Sequence, residues 1–151
     1  MANSAAINKI QKKSPGNQPE ILWNDAAAAT DISRLRIEKI IKKAVHQLPA
    51  LTTVAVVEVA TGNWLAHLSR SRNFAPALAA ACSAEMVRQQ QQAMAALNMR
   101  GERLEDILIP FRKQLHLIRM ARSGQWFGYL VVKAQDTSLA LAREVLKSII
   151  T

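Results

Sequence analysis

One long helical segment separates two groups of predicted strands, and this arrangement most limits the folds open to the chain. Residues 75–98 contain no glycine and place apolar side chains at i, i+3 and i+4 spacing, which predicts a helix. The other connections between predicted strands are short turns, so those neighbours form antiparallel hairpins. Because a helix rises about 1.5 Å per residue, this segment alone can carry the chain across a whole sheet.

Five strands are predicted around this helix, at residues 52–60, 64–68, 106–113, 115–122 and 126–134. The last strand is apolar at consecutive positions, which is typical of a central strand covered on both faces. We therefore expect it to lie beside the first strand. The predicted order is 2-1-5-4-3 in the numbering of these five strands, with strands 2 and 3 at the edges.

Two further helices complete the pattern. One is predicted at residues 32–48 with Thr30 or Asp31 as its cap, and the other follows Asp136-Thr137-Ser138. The expected fold is an α+β sandwich with a five-stranded antiparallel sheet. The long helix covers one face of the sheet, and the other two helices cover the opposite face.

Residues 1–25 have the composition of a flexible basic tail, and residues 26–151 form the single predicted domain. Asn, Gln and Ser dominate the tail, and Pro15 and Pro19 break any helix there. The apolar patch at residues 21–23 stands apart. It either pads the edge of the core or serves as a short linear motif for a partner.

The net charge of +9, from 20 Lys and Arg against 11 Asp and Glu, favours acidic partners such as nucleic acid, anionic membranes or negative protein surfaces. The cations of the central region are scattered over several elements rather than grouped on one helix: Arg70, Arg72, Arg88, Arg100, Arg103, Arg112, Lys113, Arg119 and Arg122. A generally basic, solvated surface explains them as well as a binding patch does. No segment approaches the length of a membrane span, and we expect no secretory signal.

The single cysteine, Cys82, excludes an internal disulfide framework and favours a reducing cytoplasm. On the long predicted helix Cys82 shares a face with Leu78, Met86, Ala93 and Leu97. This apolar stripe predicts that Cys82 is a buried structural thiol rather than a nucleophile.

The remaining polar residues show no arrangement for catalysis. His46, His67 and His116 do not share the spacing of metal ligands. Glu105 and Asp106 are neighbours in a predicted strand, so they point to opposite faces and cannot flank one substrate bond. We therefore predict no catalytic residue, no metal site and no cofactor, and a chain that is not an enzyme.

Two stretches of the chain resemble the Roadblock/dynein light-chain family, in its bacterial type. The first is the run from Gln47 to Leu51, which leads into Val54–Val59, Gly62 and Leu65–Ala66; the second is Thr137–Arg143 at the entry to the last helix. The order of predicted elements agrees over residues 32–150. Asn63-Trp64 and Pro110 depart from the family pattern.

This resemblance implies a profilin/longin-like fold and a homodimer without an active site of its own. Members of the family commonly regulate or scaffold Ras-like small GTPases, or dock motor and signalling subunits. The functional hypothesis is therefore a non-catalytic regulator that binds a small GTPase or a related switch protein. The alternative is a basic protein that binds nucleic acid or an anionic surface.

An interface with a second copy is predicted from the third strand and the long helix. An apolar edge strand needs cover, and small side chains allow a second helix to approach closely. The residues predicted for this interface are Ala80, Ala84, Val87, Met94, Ala95, Ile107, Ile109 and Phe111.

Overall fold

The computed structural model describes residues 19–25 and 31–150. The elements are β1 (Leu22–Trp23), α1 (Arg34–Gln47), β2 (Leu51–Glu58), β3 (Trp64–Ser69), α2 (Pro76–Ala96), β4 (Asp106–Pro110), β5 (Gln114–Met120), β6 (Trp126–Lys133) and α3 (Leu139–Ile149). The expectation of an α+β fold with an antiparallel sheet and three helices is confirmed. Within the described residues no helix is long and apolar enough to cross a membrane.

The sheet has six strands in the order β1-β3-β2-β6-β5-β4, and all neighbours are antiparallel. The prediction of a five-stranded sheet is therefore wrong, although the five predicted strands keep the order that was expected of them. The additional strand, β1, lies outside β3. A strand of two residues is too short to show a periodic pattern, which is why the sequence did not indicate it.

β1 joins the N-terminal segment to the domain. Leu22 pairs with His67, and the backbone N–H of Asn24 donates to the carbonyl oxygen of Leu65 at 3.0 Å. Ile21 and Trp23 pack against the core, which confirms that the patch at residues 21–23 pads the core edge. The segment predicted as a tail therefore contributes β1 to the sheet. The rest of the predicted tail, residues 1–18, lies outside the described residues.

Two apolar layers cover the two faces of the sheet. On one face, β-strand residues such as Val54 and Leu130 form a core with α1 and α3. On the other face, residues such as Ile118 and Phe127 pack with α2. Both layers include residues of β6, which is buried along nearly its whole length, as expected for a central strand.

The helices α1 and α3 begin at serine caps. The Oγ of Ser33 accepts a hydrogen bond from the N–H of Arg36 at 3.2 Å, and the Oγ of Ser138 accepts one from Leu141 at 3.1 Å. Ser138 belongs to the predicted capping segment. For α1 the cap is Ser33 rather than Asp31, and Thr30 lies outside the described residues.

Candidate partner-binding surface

Helix α2 packs on the sheet through small side chains. Ala80, Ala84 and Val87 are buried and belong to the same cluster as Ile118 and Phe127 of the sheet. The prediction that these three helix residues line an exposed interface is therefore wrong. Small side chains do allow a close approach, but the element that approaches is the chain's own sheet.

Two contacts tie α2 to the turn between β2 and β3. Gly62 has a φ of +72°, and a side-chain carbon added to it would lie 3.6 Å from the Cβ of Ala84. Arg88 donates from Nη1 to the carbonyl oxygen of Val59 at 2.6 Å, and its Nη2 donates to Glu85 at 2.9 Å. These contacts orient α2 so that the face carrying Ala80 and Ala84, the alanine stripe, packs against the sheet.

The exposed side of α2 carries larger apolar side chains. Leu78 is 66% exposed, and Leu97 at the C-terminal cap is 72% exposed. Cys82 is also exposed, so the prediction that it is a buried structural thiol is wrong. Of the predicted interface residues on this helix, Met94 is half-buried and Ala95 is exposed.

Strand β4 forms the edge of the sheet, and within the described residues only β5 pairs with it. Ile107 and Ile109 are half-buried, and Ile107 packs against the layer that contains α2. Phe111, just beyond the strand, is 54% exposed. Pro110 ends the strand and has no N–H with which to extend a ladder.

Two cavities border α2. One, of about 340 Å³, lies near its N-terminal end and is lined by Leu78, Cys82 and residues of the sheet that include His116. The other, of about 760 Å³, lies near its C-terminal end and is lined by Met94, Leu97 and the segment that enters β4. We call these two cavities, the exposed side of α2 and the edge strand β4 the α2–β4 surface.

Comparison with solved structures identifies the fold. MglB of Myxococcus xanthus superimposes with a TM-score of 0.69 at 14% identity, over 82% of this chain and 88% of that one. An MglB with a tetrameric arrangement gives a TM-score of 0.65 at 14% identity, over 82% and 90%. A Roadblock/LC7 domain from Streptomyces avermitilis gives 0.56 at 14% identity, over 73% and 91%. The chain has a Roadblock-type fold. No protein-family model matches the sequence, and a search of curated proteins gives no match.

Two histidines of this Roadblock-type domain are partly or fully buried. His67 lies edge-on to Trp64 and Phe74, with ring centroids 4.8 and 5.1 Å away, and its Nδ1 is buried without a hydrogen-bond partner among the described residues. Burial lowers the pKa of both His67 and His116. Both side chains therefore favour the neutral form.

The cavity near the N-terminal end of α2 holds a cysteine and a histidine without the geometry of a catalytic pair. His116 shares hydrogen bonds through Nδ1 with the Tyr129 hydroxyl at 3.1 Å and through Nε2 with Gln114 at 3.0 Å. Both ring nitrogens are thus engaged by groups other than Cys82. Burial first, and the nearby Cys82 second, raise the pKa of Tyr129, so its hydroxyl keeps its proton. Within residues 19–25 and 31–150, no group of three His, Cys, Asp or Glu side chains is placed to hold a metal ion.

An ion cluster joins β4, β5 and α3. Asp106 Oδ2 accepts from Arg143 Nε at 2.9 Å and from Arg119 Nη1 at 3.4 Å, and Glu105 lies 3.8 Å from the same Nη1. The hydrogen bond that Arg143 donates to Asp106, with the attraction of the carboxylate charge, raises the pKa of Arg143. Asp106 and Arg119 are directly opposite in the β4–β5 register. Sequence reasoning tested Glu105 and Asp106 only as a catalytic pair. The predicted strand bounds do not align Asp106 with Arg119, so they could not reveal this cross-strand ion pair.

Several of the scattered arginines are used inside the domain. Arg70 donates from Nη1 to the carbonyl oxygen of Leu51 at 2.8 Å and to that of Pro49 at 3.2 Å. Arg88 holds the β2–β3 turn, and Arg119 belongs to the ion cluster. These contacts leave fewer cations free to form a long groove that could bind nucleic acid.

Proposed function

We propose that this chain is a non-catalytic regulatory or scaffold module that forms a homodimer and binds a Ras-like small GTPase or a related switch protein. The observation that carries the proposal is the α2–β4 surface: a helix with exposed leucines whose C-terminal end borders the segment entering an apolar edge strand. In a monomer such an edge is open to further pairing. The Roadblock-type fold supports the class of function, because the family resemblance implies regulators of small GTPases.

The proposed dimer has a two-fold axis beside β4. Ile107 and Ile109 alternate with Leu108, so they share the sheet face that carries α2. One axis would therefore pair the two β4 edges and bring the exposed sides of the two α2 helices together. Pro110 limits how far the strand pairing extends, which leaves the helices a larger share of the contact.

The proposed interface differs in part from the one predicted by sequence. Met94, Ala95, Ile107, Ile109 and Phe111 stay in it, since each is half-buried or exposed. Leu78 and Leu97 join them, and the buried residues of α2 leave it. Self-association has a parallel in the tetrameric arrangement of one MglB structure with the same fold.

The proposed action on a partner needs a binding surface rather than reactive side chains. A regulator shifts a switch protein only by its differential affinity for the two states. We place the protein in the cytoplasm, where its exposed Cys82 would remain reduced. No cofactor or metal takes part in this proposal.

The test is a binding measurement with purified Ras-like GTPases from the same organism, each loaded with GDP or with a non-hydrolysable GTP analogue. We expect at least one GTPase to bind in one nucleotide state about tenfold more tightly than in the other. Equal affinity for both states in every GTPase would contradict the regulatory role.

The alternative function is tested on the same preparation with generic duplex DNA. Binding to phosphate groups weakens steeply as the salt concentration rises. Micromolar, salt-sensitive DNA binding together with no GTPase binding would favour the nucleic-acid alternative. We expect no measurable DNA binding at physiological salt.

A further inference from the structure

A small cavity on the α3 side of the domain is lined mainly by cations. It has a volume of about 220 Å³ and lies between the segment before β4, the end of β5 and the C-terminal end of α3. Arg103, Arg119, Arg122 and Lys147 line it, against the single carboxylate of Glu105. The charge of the lining is therefore strongly positive.

Three of these cations have no competing partner within the described residues. Arg103, Arg122 and Lys147 are exposed, and no hydrogen bond or ion pair joins them to a described residue. Lys42, by contrast, is an exposed cation that is paired with a carboxylate. The positive charge at the cavity is thus available to a ligand.

Arg119 is fixed in place by its ion pairs. Its side chain is only 14% exposed, and Asp106 and Glu105 both approach the same atom, Nη1. Its Nε is buried and has no hydrogen-bond partner among the described residues. The guanidinium is thus held at the wall of the cavity by its carboxylate partners.

The neighbouring carboxylate does not neutralise the site. Asp106 and Glu105 together balance Arg119 and Arg143, so the excess positive charge of the site comes from Arg103, Arg122 and Lys147. Glu105 approaches Arg119 at 3.8 Å, and its side chain is 57% exposed. Water therefore weakens this ion pair.

We propose that this cavity binds a dianionic oxyanion of phosphate size. Guanidinium groups match the oxygen geometry of phosphate, and Lys147 adds a point charge. The volume is below the roughly 300 Å³ at which sites for drug-sized ligands begin, so the cavity fits a phosphate group rather than a whole nucleotide. The site shares Arg103, Leu104 and Glu105 with the cavity at the C-terminal end of α2, but phosphate binding there does not depend on the proposed function.

The test is isothermal titration calorimetry of the full chain with inorganic phosphate, compared with sodium chloride at matched ionic strength. We expect saturable phosphate binding that chloride does not reproduce. Acetate, a monoanion, should bind at least about tenfold more weakly, because it offers one charge and fewer oxygens. Glycerol 3-phosphate distinguishes the source of the group: tighter binding than phosphate supports an esterified phosphate, and weaker binding supports the free ion.

The decisive variant is Arg122→Gln combined with Lys147→Gln. Both side chains are exposed, so the fold tolerates the change, and we expect phosphate affinity to fall by about tenfold or more. The matched control is Lys39→Gln combined with Arg72→Gln, which removes the same charge at exposed positions outside the cavity. No phosphate binding beyond the chloride effect, or an equal loss of affinity in the control, would overturn the proposal.

Discussion

The proposed dimer predicts that one exposed leucine of α2 controls the oligomeric state. Leu78→Glu places a charge on the α2–β4 surface without touching the monomer's core, because Leu78 is 66% exposed. In the dimer the same carboxylate would have to be buried against an apolar partner surface, which is strongly unfavourable. We therefore expect Leu78→Glu to dissociate the dimer while the monomer stays folded.

The magnitude follows from the exposed fraction. Full burial of a leucine side chain stabilises by about 1.5–3 kcal/mol, and about two-thirds of Leu78 remains to be buried. A two-fold interface contains the residue twice, so its loss weakens the dimer by about 2–4 kcal/mol. At about 1.4 kcal/mol per tenfold change, the dissociation constant rises by about 30- to 700-fold. The charge of the glutamate adds to this figure.

The assay is sedimentation velocity over a range of concentrations up to tens of micromolar, with circular dichroism to check the fold. Leu97→Glu should act in the same direction, since Leu97 is 72% exposed. The matched controls are Leu35→Glu and Leu141→Glu on the helices of the opposite face, where the side chains are 63% and 53% exposed. These controls make the same chemical change away from the proposed interface, so we expect them to remain dimeric.

Two results would refute this reasoning. A wild-type chain that sediments as a monomer at tens of micromolar removes the dimer altogether. A Leu78→Glu chain that dimerises as tightly as the wild type, while Leu141→Glu dissociates, places the interface on the face covered by α1 and α3.

Three further predictions concern stability. A methyl group at Gly128 would overlap the Cδ1 of Ile150, so Gly128→Ala should lower the free energy of unfolding by about 1–3 kcal/mol. Adding Ile150→Val should recover part of this loss, because valine lacks that carbon. Strictly additive effects of the two substitutions in urea denaturation would show that these residues do not touch. Burial lowers the pKa of His67 from its ordinary 6.5, so the contribution of neutral His67 to stability is fully present above that pH and is lost as the pH falls toward the folded-state pKa. His67→Gln should therefore flatten the fall in unfolding free energy between about pH 7.5 and about pH 5.5. An unchanged slope would contradict this assignment. Deleting residues 1–25 removes β1 and should lower the free energy of unfolding by about 2–4 kcal/mol, because Ile21 and Trp23 pack against the core. Deleting residues 1–18 keeps β1 and serves as the control. Equal melting temperatures for the two deletions would show that β1 is dispensable.

The strands and helices that the sequence predicted correctly are those with strong local patterns. The turn at Gly62 sits between two apolar runs, and Ser138 caps a helix with regular apolar spacing. The consecutive apolar residues of β6 indicated a strand with two covered faces, and this placed it beside β2. Short-range rules therefore sufficed for the order of the five main strands.

The features that the sequence did not predict have one physical reason in common: each depends on contacts between residues that are far apart in the sequence. β1 is held by backbone hydrogen bonds to β3 and by packing of Trp23, and two residues carry no period of their own. Arg34 lies over the Trp23 ring at 4.4 Å, a contact between segments that no local pattern connects. The ion cluster around Asp106 likewise combines residues of three elements.

The orientation of α2 shows why its partner surface was partly misassigned. Apolar side chains occur all around this helix, so periodicity alone could not say which stripe meets the sheet. The larger stripe, with Leu78 and Leu97, was expected to be buried, and the alanines were assigned to the interface. The structure reverses these roles, because the alanine stripe lets α2 lie against the Gly62 turn and lets Arg88 reach the Val59 carbonyl.

This reversal strengthens the argument for a partner on α2. If the alanines faced outward, the monomer would expose little apolar surface on this helix and a second chain would gain little by covering it. With the alanines inside, the helix instead exposes two leucines, and one of them, Leu97, lines the cavity that reaches the segment entering β4. An open apolar edge strand is unfavourable in an isolated domain, and exposed leucines are stabilised further when a partner buries them. A single two-fold contact beside β4 would cover both, which is why the α2–β4 surface is where Leu78→Glu should have its effect.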